Sequence, residues 1–288
     1  MEVIYKIVKS SLIIIGFTIA LFLFMLYTNA VFGQSTLGIA PHLSYNLNLC
    51  DYSYANSQEE GISIIRLDPN LFNVNLESLQ NISSHSTARD YQKMYGADFV
   101  INPGMFDMSG NLLGYAKENG ILYGKKDLKD GYNVVLLFDV NEKGKQKGYH
   151  EFMLLDLELG NSEVRSLYNG SVQGLRMMDS NGRNVWSKQD KRWSVSCIAQ
   201  DTEGYLYLIH SFIPYEMNDF VDRISNYILL NYNATANGMM YLEGGPEASL
   251  SAPRYNLNKH GSYETDFMET CANDTQWSLP NALMFFLK

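Results

Sequence analysis

The feature that most constrains the fold of this chain is the segment SVSCIAQDTEGYLYLIHSF, residues 194–212, in which two β-rich runs flank a polar turn. This pattern predicts an antiparallel hairpin with DTEG at its turn. Four further segments have the composition of strands. They are YNVVLLFDV (132–140), EFMLLDLE (151–158), GMMYLEGG (238–245) and NALMFFLK (281–288). The chain is therefore rich in strands from its middle to its end.

Two alternating runs predict a further pair of strands earlier in the chain. GISIIRLDPN (61–70) is β-branched and ends at Pro69, and FNVNLESL (72–79) follows at once, which suggests a second hairpin. ADFVIN (97–102) is a short buried strand, and the Pro103-Gly104 pair that follows ends it.

Two segments show helical spacing. SSHSTARDYQKMYG (83–96) begins with hydroxyl side chains that can cap a helix. NDFVDRISNYIL (218–229) places its apolar residues on one face, with Asn218 as the predicted cap. Strands dominate, and the helices are inserted between them rather than alternating with them. The predicted fold class is therefore α+β, a single mixed-sheet domain with inserted helices.

The N-terminal segment differs from the rest of the chain. Lys6 and Lys9 precede an uncharged apolar run, 12–27, and small residues follow it. This order is typical of a secretory signal or a signal anchor, and the basic flank predicts that the remainder is exported. We expect residues 1–35 to be a signal peptide or a membrane anchor, with cleavage and retention both open. Residues 36–288 then form one domain, periplasmic or extracellular.

Composition excludes some classes of function. The formal net charge is −9, which argues against nucleic-acid binding because that function needs a basic face. Of the three cysteines, Cys197 lies in an apolar run and is predicted to be a small buried residue. The sequence leaves open whether Cys50 and Cys271 form a disulfide. The sequence has no CxxC, HxH or HExxH pattern, so neither a metal nor a cofactor is predicted.

Three junctions place polar side chains beside glycine at the ends of strands. Glycine lets the backbone approach a ligand and leaves N–H groups free to bind an oxyanion. Each junction alone is more often an ordinary turn, but their co-occurrence indicates a site. The junctions are VINPGMF (100–106) with Asn102 and Gly104, GLRMMDSNGR (174–183) with Arg176, and YLEGGPEASL (241–250) with Glu243, Gly244, Gly245 and Ser249.

The junctions suggest a common geometry. If the strands lie side by side, Asn102 and Glu243 emerge at one edge of the sheet, and QDKRWSVS (189–196) brings Arg192 towards it. The arginine fork suits a phosphate group because it offers two parallel donors. The same hairpin carries His210, which we keep as a candidate. A solvated basic surface remains the alternative for residues 176–192.

Five segments, in the order FVINPGMF, GLRMMDSNGRNVWSKQDKRWSVSCIAQDTEGYLYLIHS, PYEMNDF, MYLEGGPEASL and GSYETDF, resemble the phosphodiester glycosidase family. The likeness is to its exported bacterial branch, relatives of the mammalian mannose-6-phosphate uncovering enzyme, and it covers roughly residues 60–287. The resemblance implies an α+β domain with a surface cavity at strand ends. It also implies cleavage of a sugar-1-phosphate diester, such as an N-acetylglucosamine-1-phosphodiester, to a free sugar and a phosphomonoester.

The resemblance implies that Glu243 is the working acid. The mammalian pattern at this junction is an aspartate followed by three glycines and a serine. Here the acid is one methylene longer, and Pro246 replaces the third glycine. The two glycines that remain, Gly244 and Gly245, would keep side chains out of the space that a substrate needs.

The expected chemistry assigns a role to each candidate. A phosphomonoester departs as a stable anion, so one carboxylate, Glu243, is expected to act as base or nucleophile. Arg192 and Arg176 would bind the phosphate, and Asn102 a sugar hydroxyl or the phosphate. Glu264, in GSYETDF, is preferred to Glu247 as a second carboxylate. The residues expected to line the substrate are Gly104, Gly244, Gly245, Ser249 and His210.

Two other functions stay open. One is an exported module that binds a phosphorylated glycan without cleaving it. The other is a metal-assisted phosphodiesterase that breaks the P–O bond. The expected partners are a phosphorylated glycan or sugar-phosphate diester and, through the N-terminal segment, a membrane.

Overall fold

The computed structural model describes residues 61–78, 86–159, 162–252 and 277–288, together with the backbone of four short strands at 52–57, 257–260, 263–265 and 268–270. All of these residues fall within one compact unit, His42–Lys288. The predicted signal or anchor at 1–35 and the Cys50–Cys271 bridge lie outside the described residues. Within the described part of the chain, no helix has both the length and the apolar character to cross a membrane.

The described strands account for most of the regular structure. In chain order they are β1 (Tyr52–Ser57), β2 (Ile62–Leu67), β3 (Phe72–Ser78), β4 (Phe99–Ile101), β5 (Ala116–Glu118), β6 (Ile121–Leu122), β7 (Val134–Val140), β8 (Phe152–Asp156), β9 (Tyr168–Met178), β10 (Val195–Asp201), β11 (Leu206–Ser211), β12 (Ala236–Gly244), β13 (Ser249–Ala252), β14 (Leu257–His260), β15 (Tyr263–Thr265), β16 (Met268–Thr270) and β17 (Asn281–Leu287).

Four α-helices connect these strands in the described residues. They are α1 (Ala88–Tyr95), α2 (Glu142–Gln146), α3 (Ser162–Arg165) and α4 (Met217–Tyr232). Thr87 caps α1 in a capping box with Asp90, which satisfies N–H groups that the first turn leaves unpaired. The left-handed Gly96 ends the same helix.

The described strands form two larger sheets. The first contains β1–β2–β11–β10–β12–β9–β5–β6 in that order, and β7 also pairs with β9 and with β8. The second is β14–β13–β4–β17–β3, and β15 and β16 form a separate pair. The pairings between these strands are antiparallel. The α+β prediction is confirmed.

The core lies between the two sheets. Ile65 and Ile198 of the first sheet pack in one cluster with Phe72, Phe99 and Phe285 of the second. Alternate residues of the second sheet point the other way, and helix α1 covers them in a separate cluster. Residues on the two faces of a strand alternate, so β4 and β17 of this sheet are apolar on both sides.

The 194–212 hairpin is confirmed. β10 and β11 pair antiparallel, with Ser196 opposite His210 and Gln200 opposite Leu206. Cys197 is fully buried and carries a free thiol, as its apolar context predicts. This hairpin lies in the middle of the first sheet, where both its faces are covered.

The second predicted hairpin, at 61–79, is wrong. Both strands form, but β2 pairs with β1 and β11, whereas β3 pairs with β17. Asp68 accepts a hydrogen bond from the backbone N–H of Leu71, and the resulting turn carries the chain from one sheet to the other. The alternation of apolar residues predicts which face of each strand is buried, but it does not say which strands hydrogen-bond to its edges.

Two further predictions need correction or completion. The cap of α4 is Glu216, whose carboxylate accepts from the N–H groups of Asn218 and Asp219, so Asn218 lies inside the helix. The long strand β9 was not predicted, because its sequence YNGSVQGLRMM mixes glycine and polar residues into the run. It lies between β12 and β5, where Gly170 and Gly174 admit bulky neighbours.

Candidate active site between the two sheets

A bulge in β12 sets the position of Glu243. On β10, Ser196 lies opposite Glu243, but the next residue, Cys197, lies opposite Tyr241. Leu242 is therefore the extra residue, and its insertion bends the strand just before the acid. Bulges of this kind re-aim the side chains that follow them. Glu243 is half-buried and directly follows a buried run, 238–242, of this strand.

The surroundings of Glu243 alter its acidity. Burial raises the pKa of its carboxyl to about 8. A hydrogen bond from the Gly244 N–H to Oε1, 3.0 Å long, opposes the rise, and the charge of Glu247 adds to it. A carboxyl that titrates near neutral pH is able to exchange a proton with a substrate or a water molecule.

Asn102 joins the two sheets beside this acid. It follows β4 of the second sheet and is 1% exposed. Its Oδ1 accepts from Ser196 Oγ at 2.6 Å and from the Ser249 N–H at 3.1 Å. Ser196 Oγ also lies 3.5 Å from the carbonyl oxygen of Glu243. Ser196 therefore links Asn102 of the second sheet to the main chain of Glu243 in the first, whereas the sequence pattern predicted both residues at one edge of a single sheet.

The two glycines after Glu243 serve different purposes. A Cβ on Gly244 would collide with the Tyr241 hydroxyl and the Trp193 indole. Gly245 has a positive φ of 69°, which favours glycine. Their N–H groups are not free, because Gly244 donates to Glu243 and Gly245 donates to the carbonyl of Ser194 at 2.9 Å. The expected oxyanion contacts from these two groups are therefore already used within the protein.

The other small candidates lie close by. Gly104 is buried, and a Cβ there would come no nearer than 3.8 Å, to Leu112. Ser249 is fully buried, and its hydroxyl donates to the carbonyl of Glu247 at 3.1 Å. Both are therefore interior residues, and the Ser249 hydroxyl is already bonded within the protein.

A row of polar residues crosses the first sheet to Glu243. His210 on β11 lies opposite Ser196 on one side and opposite Ser63 of β2 on the other. Directly opposite residues share one face of an antiparallel sheet. His210, Ser196 and Ser63 are fully buried, so this polar row lies within the protein interior.

The two candidate arginines have different surroundings. Arg176 donates to Asp156 at 2.8 and 2.9 Å and to Glu158 at 2.7 Å, and these bonds raise its pKa. Its donors are thus used largely by the protein itself. Arg192 is exposed on the segment that leads into β10, four residues before Ser196.

A strap, which we define as residues 184–193, lies beside the site. Its Trp186 ring lies 5.5 Å from the ring of Tyr241. The carbonyl of Trp186 accepts from Asn218 Nδ2, and the N–H of Gln189 donates to Glu216 at 3.2 Å. The strap therefore holds Arg192 at one end and is tied to the start of α4.

Three of these residues, Ser196, Tyr241 and Trp193, were not candidates from the sequence. Ser196 alternates with apolar residues in β10, and that placement of a serine on a buried face is the one signal that could have revealed it. Tyr241 and Trp193 have no such signal, because aromatic residues are ordinary in sheets.

The remaining carboxylate candidates are less defined. The backbone of Glu264 lies in β15, and its side chain is outside the described part of the structure. Glu247 lies in the 3₁₀ turn Gly245–Glu247 that follows β12. Among the described residues, no group of three histidine, cysteine or acidic side chains is placed to hold a metal ion.

Comparison with known proteins gives a fold. No family model matches the sequence, and no curated protein matches it. The structure is similar to the catalytic domain of zebrafish N-acetylglucosamine-1-phosphodiester alpha-N-acetylglucosaminidase, auto-inhibited by its pro-peptide. The TM-score is 0.51, with 13% identity over 82% of each chain. A hypothetical protein from Synechocystis is similar too, with a TM-score of 0.50 and 13% identity.

The Synechocystis match covers 82% of this chain and 61% of the other, so this chain spans about three fifths of that protein. At 13% identity the two likenesses show a shared fold alone. The name of the zebrafish protein describes a phosphodiester glycosidase. The fold therefore agrees with the one that the sequence resemblance implied.

Proposed function

We propose that this chain is a phosphodiester glycosidase that hydrolyses a sugar-1-phosphate diester to a free sugar and a phosphomonoester. The observation that carries the proposal is Glu243, a half-buried carboxyl with a pKa raised to about 8, at a bulged strand end opposite Ser196, whose hydroxyl bonds to Asn102 of the second sheet. The ordered sequence motifs and the fold of the zebrafish glycosidase support it.

In the proposed reaction Glu243 acts as the base. Its carboxylate takes a proton from a water molecule while the water oxygen bonds to the anomeric carbon. The bond between that carbon and the phosphate oxygen breaks, and its electron pair leaves with the phosphomonoester. Because the leaving group is a stable anion, it needs no proton from the protein.

The phosphate needs a positive partner, and Arg192 is the better placed of the two arginines. Arg192 is exposed at one end of the strap, whereas Arg176 is bound to two carboxylates. A guanidinium fork would hold two phosphoryl oxygens as negative charge grows on the leaving group.

The proposal extends to the place of action. Residues 1–35 would export the domain, or anchor it, so that it acts on glycans of the cell envelope or outside the cell. The sugar and the acceptor are left open.

Hydrolysis in oxygen-18 water tests the reaction. The substrate is the methyl diester of N-acetylglucosamine-1-phosphate, and the full-length chain is compared with Glu243→Gln, with and without EDTA. We expect the label in the sugar, no effect of EDTA, and loss of turnover in the variant.

Other outcomes would replace the proposal. Label in the phosphate, with sensitivity to EDTA, would indicate a metal-assisted phosphodiesterase. Binding without turnover in the wild-type chain would indicate a module that holds phosphorylated glycans. Full activity in Glu243→Gln would remove this acid from the mechanism.

A further inference from the structure

The orientation of the Asn102 side chain is fixed by its neighbours. Its Oδ1 accepts from the Ser249 N–H at 3.1 Å and from the Ser196 hydroxyl at 2.6 Å. A backbone N–H can only donate, so the oxygen of the amide must face Ser249. Because Oδ1 and Nδ2 diverge from one carbon, these two bonds also determine where Nδ2 lies.

The Nδ2 group is left without an acceptor. It is buried, and none of the described residues accepts a hydrogen bond from it. Buried donors in proteins are nearly always paired, because an unpaired one loses its bonds to water and gains nothing in return. An acceptor supplied by a ligand would meet this need, with no competition from bulk water.

Ser196 connects this donor to the reacting group. Its hydroxyl bonds to Asn102, and its strand position is opposite Glu243. A ligand bound at the Glu243 carboxyl would therefore lie near the Ser196–Asn102 pair. In a sugar-1-phosphate diester the non-bridging phosphoryl oxygens are acceptors only, and they are charged, so they match a donor that has no acceptor of its own.

We propose that Ser196 is a positioning residue that holds Asn102 so that its Nδ2 donates to a phosphoryl oxygen of the diester. The inference rests on the proposed function for the identity of the ligand and adds the residue that orients the phosphate. Arg192 would balance the negative charge of the phosphate, and Asn102 would fix the orientation of the phosphate.

Nitrogen-15 NMR of asparagine side chains tests the contact. The full-length chain, labelled at asparagine, is titrated with methyl phosphate and separately with N-acetylglucosamine. The Asn102 signal is assigned by its disappearance in Asn102→Asp, which keeps the oxygen that accepts from Ser196 and Ser249. We expect this signal to move on saturation with methyl phosphate. No movement, or movement with the sugar alone, would overturn the proposal; in the first case Nδ2 holds a structural water only.

A matched pair of variants tests the role of Ser196. Threonine and valine have nearly the same shape, so Ser196→Thr and Ser196→Val differ only in that valine has a methyl group in place of the hydroxyl. We expect Ser196→Val to bind methyl phosphate about tenfold more weakly than Ser196→Thr, because a tenfold change in affinity corresponds to the contribution of about one hydrogen bond. Equal affinities in two folded variants, checked by thermal unfolding, would overturn the positioning role.

The two proposals fail in different ways. Movement of the Asn102 signal without any hydrolysis of the diester by the wild-type chain would defeat the glycosidase and leave the phosphate contact standing. Hydrolysis with an unmoved Asn102 signal would do the reverse. Absence of methyl phosphate binding at millimolar concentration would defeat the phosphate contact in either case.

Discussion

At the scale of single residues, the candidate site contains a carboxyl and an amide group whose properties depend on burial and on neighbouring donors. Glu243 is acidic in water but titrates near neutral pH here, because the interior disfavours its charge. Asn102 is an ordinary amide whose two ends are made unequal by the donors around it. Sequence patterns made both residues candidates, but the proton affinity of one and the orientation of the other follow from contacts that only the fold creates.

The proposed role of Glu243 as a base predicts how turnover depends on pH. Its pKa is raised to about 8, and a base works in its deprotonated form. We therefore expect kcat/KM to increase as the pH rises through about 8 and then to level off. A pH–rate profile of the diester hydrolysis measures this, and a rate that falls over the same range would make Glu243 a proton donor instead.

Gly244 is required by its neighbours. In Gly244→Ala the added Cβ would meet the Tyr241 hydroxyl and the Trp193 indole, so we expect a loss of about 1–3 kcal/mol in the free energy of unfolding. Gly104→Ala is the control, because its Cβ has room, with 3.8 Å to the nearest atom. Urea denaturation compares the two, and equal stabilities would show that the contacts at Gly244 relax without cost.

The two arginines should behave in opposite ways. Arg192 is exposed, so Arg192→Ala should leave the stability within about 0.5 kcal/mol and lower kcat/KM about a hundredfold. Arg176→Ala leaves Asp156 without its partner in a largely buried pair, and should cost about 3 kcal/mol in stability. Unfolding and kinetic measurements on both variants decide, and an unchanged kcat/KM in Arg192→Ala would exclude it from phosphate binding.

At the scale of elements, the strand patterns in the sequence predicted where strands occur and not always what they pair with. β10 and β11 are joined by a four-residue turn, so their pairing could be predicted. β2 and β3 are equally close in the chain but belong to different sheets, because each pairs with a strand that is distant in sequence. The bulge in β12 could not be predicted, since one extra residue leaves no mark on an apolar run.

The strap gives a prediction at this scale. Glu216 accepts from the first N–H groups of α4 and from the N–H of Gln189 in the strap. Glu216→Ala removes these bonds together, and we expect it to lower the stability by about 1–2 kcal/mol. It should also speed tryptic cleavage at Lys188 and Lys191. Glu216→Gln keeps an acceptor and serves as the control. An unchanged cleavage rate in Glu216→Ala would show that the strap is held by its other contacts.

At the scale of the whole molecule, the two sheets are joined by polar contacts as well as by the core. Asn102 bridges them beside Glu243. Glu118 of β5 bridges them elsewhere, because its carboxylate accepts at 3.1 Å from the N–H of Leu76 on β3. β3 lies at the edge of the second sheet, so this bond covers a donor that would otherwise lie unpaired. The sequence predicted one α+β domain. It could not predict the contacts that join the two sheets, because these depend on pairing between residues far apart in the chain.

Glu118 makes the stability depend on pH. Burial raises its pKa to about 7, so the folded protein binds its proton more tightly than the unfolded chain does. This contribution is fully present below the ordinary pKa of glutamate, and it is lost as the pH rises to about 7. We expect Glu118→Gln, which keeps the acceptor, to remove that dependence. Urea denaturation from pH 4 to pH 8 measures it, and parallel pH profiles for both proteins would contradict the assignment.

The bridge at Asn102 also bears on the order of folding. It is 94 residues from Ser196 and 147 residues from Ser249 along the chain, and it meets both at one point. Contacts between such distant residues form slowly, because the entropy of closing a long loop is lost before the contact stabilises the chain. A folding intermediate in which only one sheet has formed would have either Glu243 or Asn102 in its final position, but not both. We therefore expect catalysis to begin only with the last tertiary contacts, so the appearance of activity during refolding would time the closure of the two sheets.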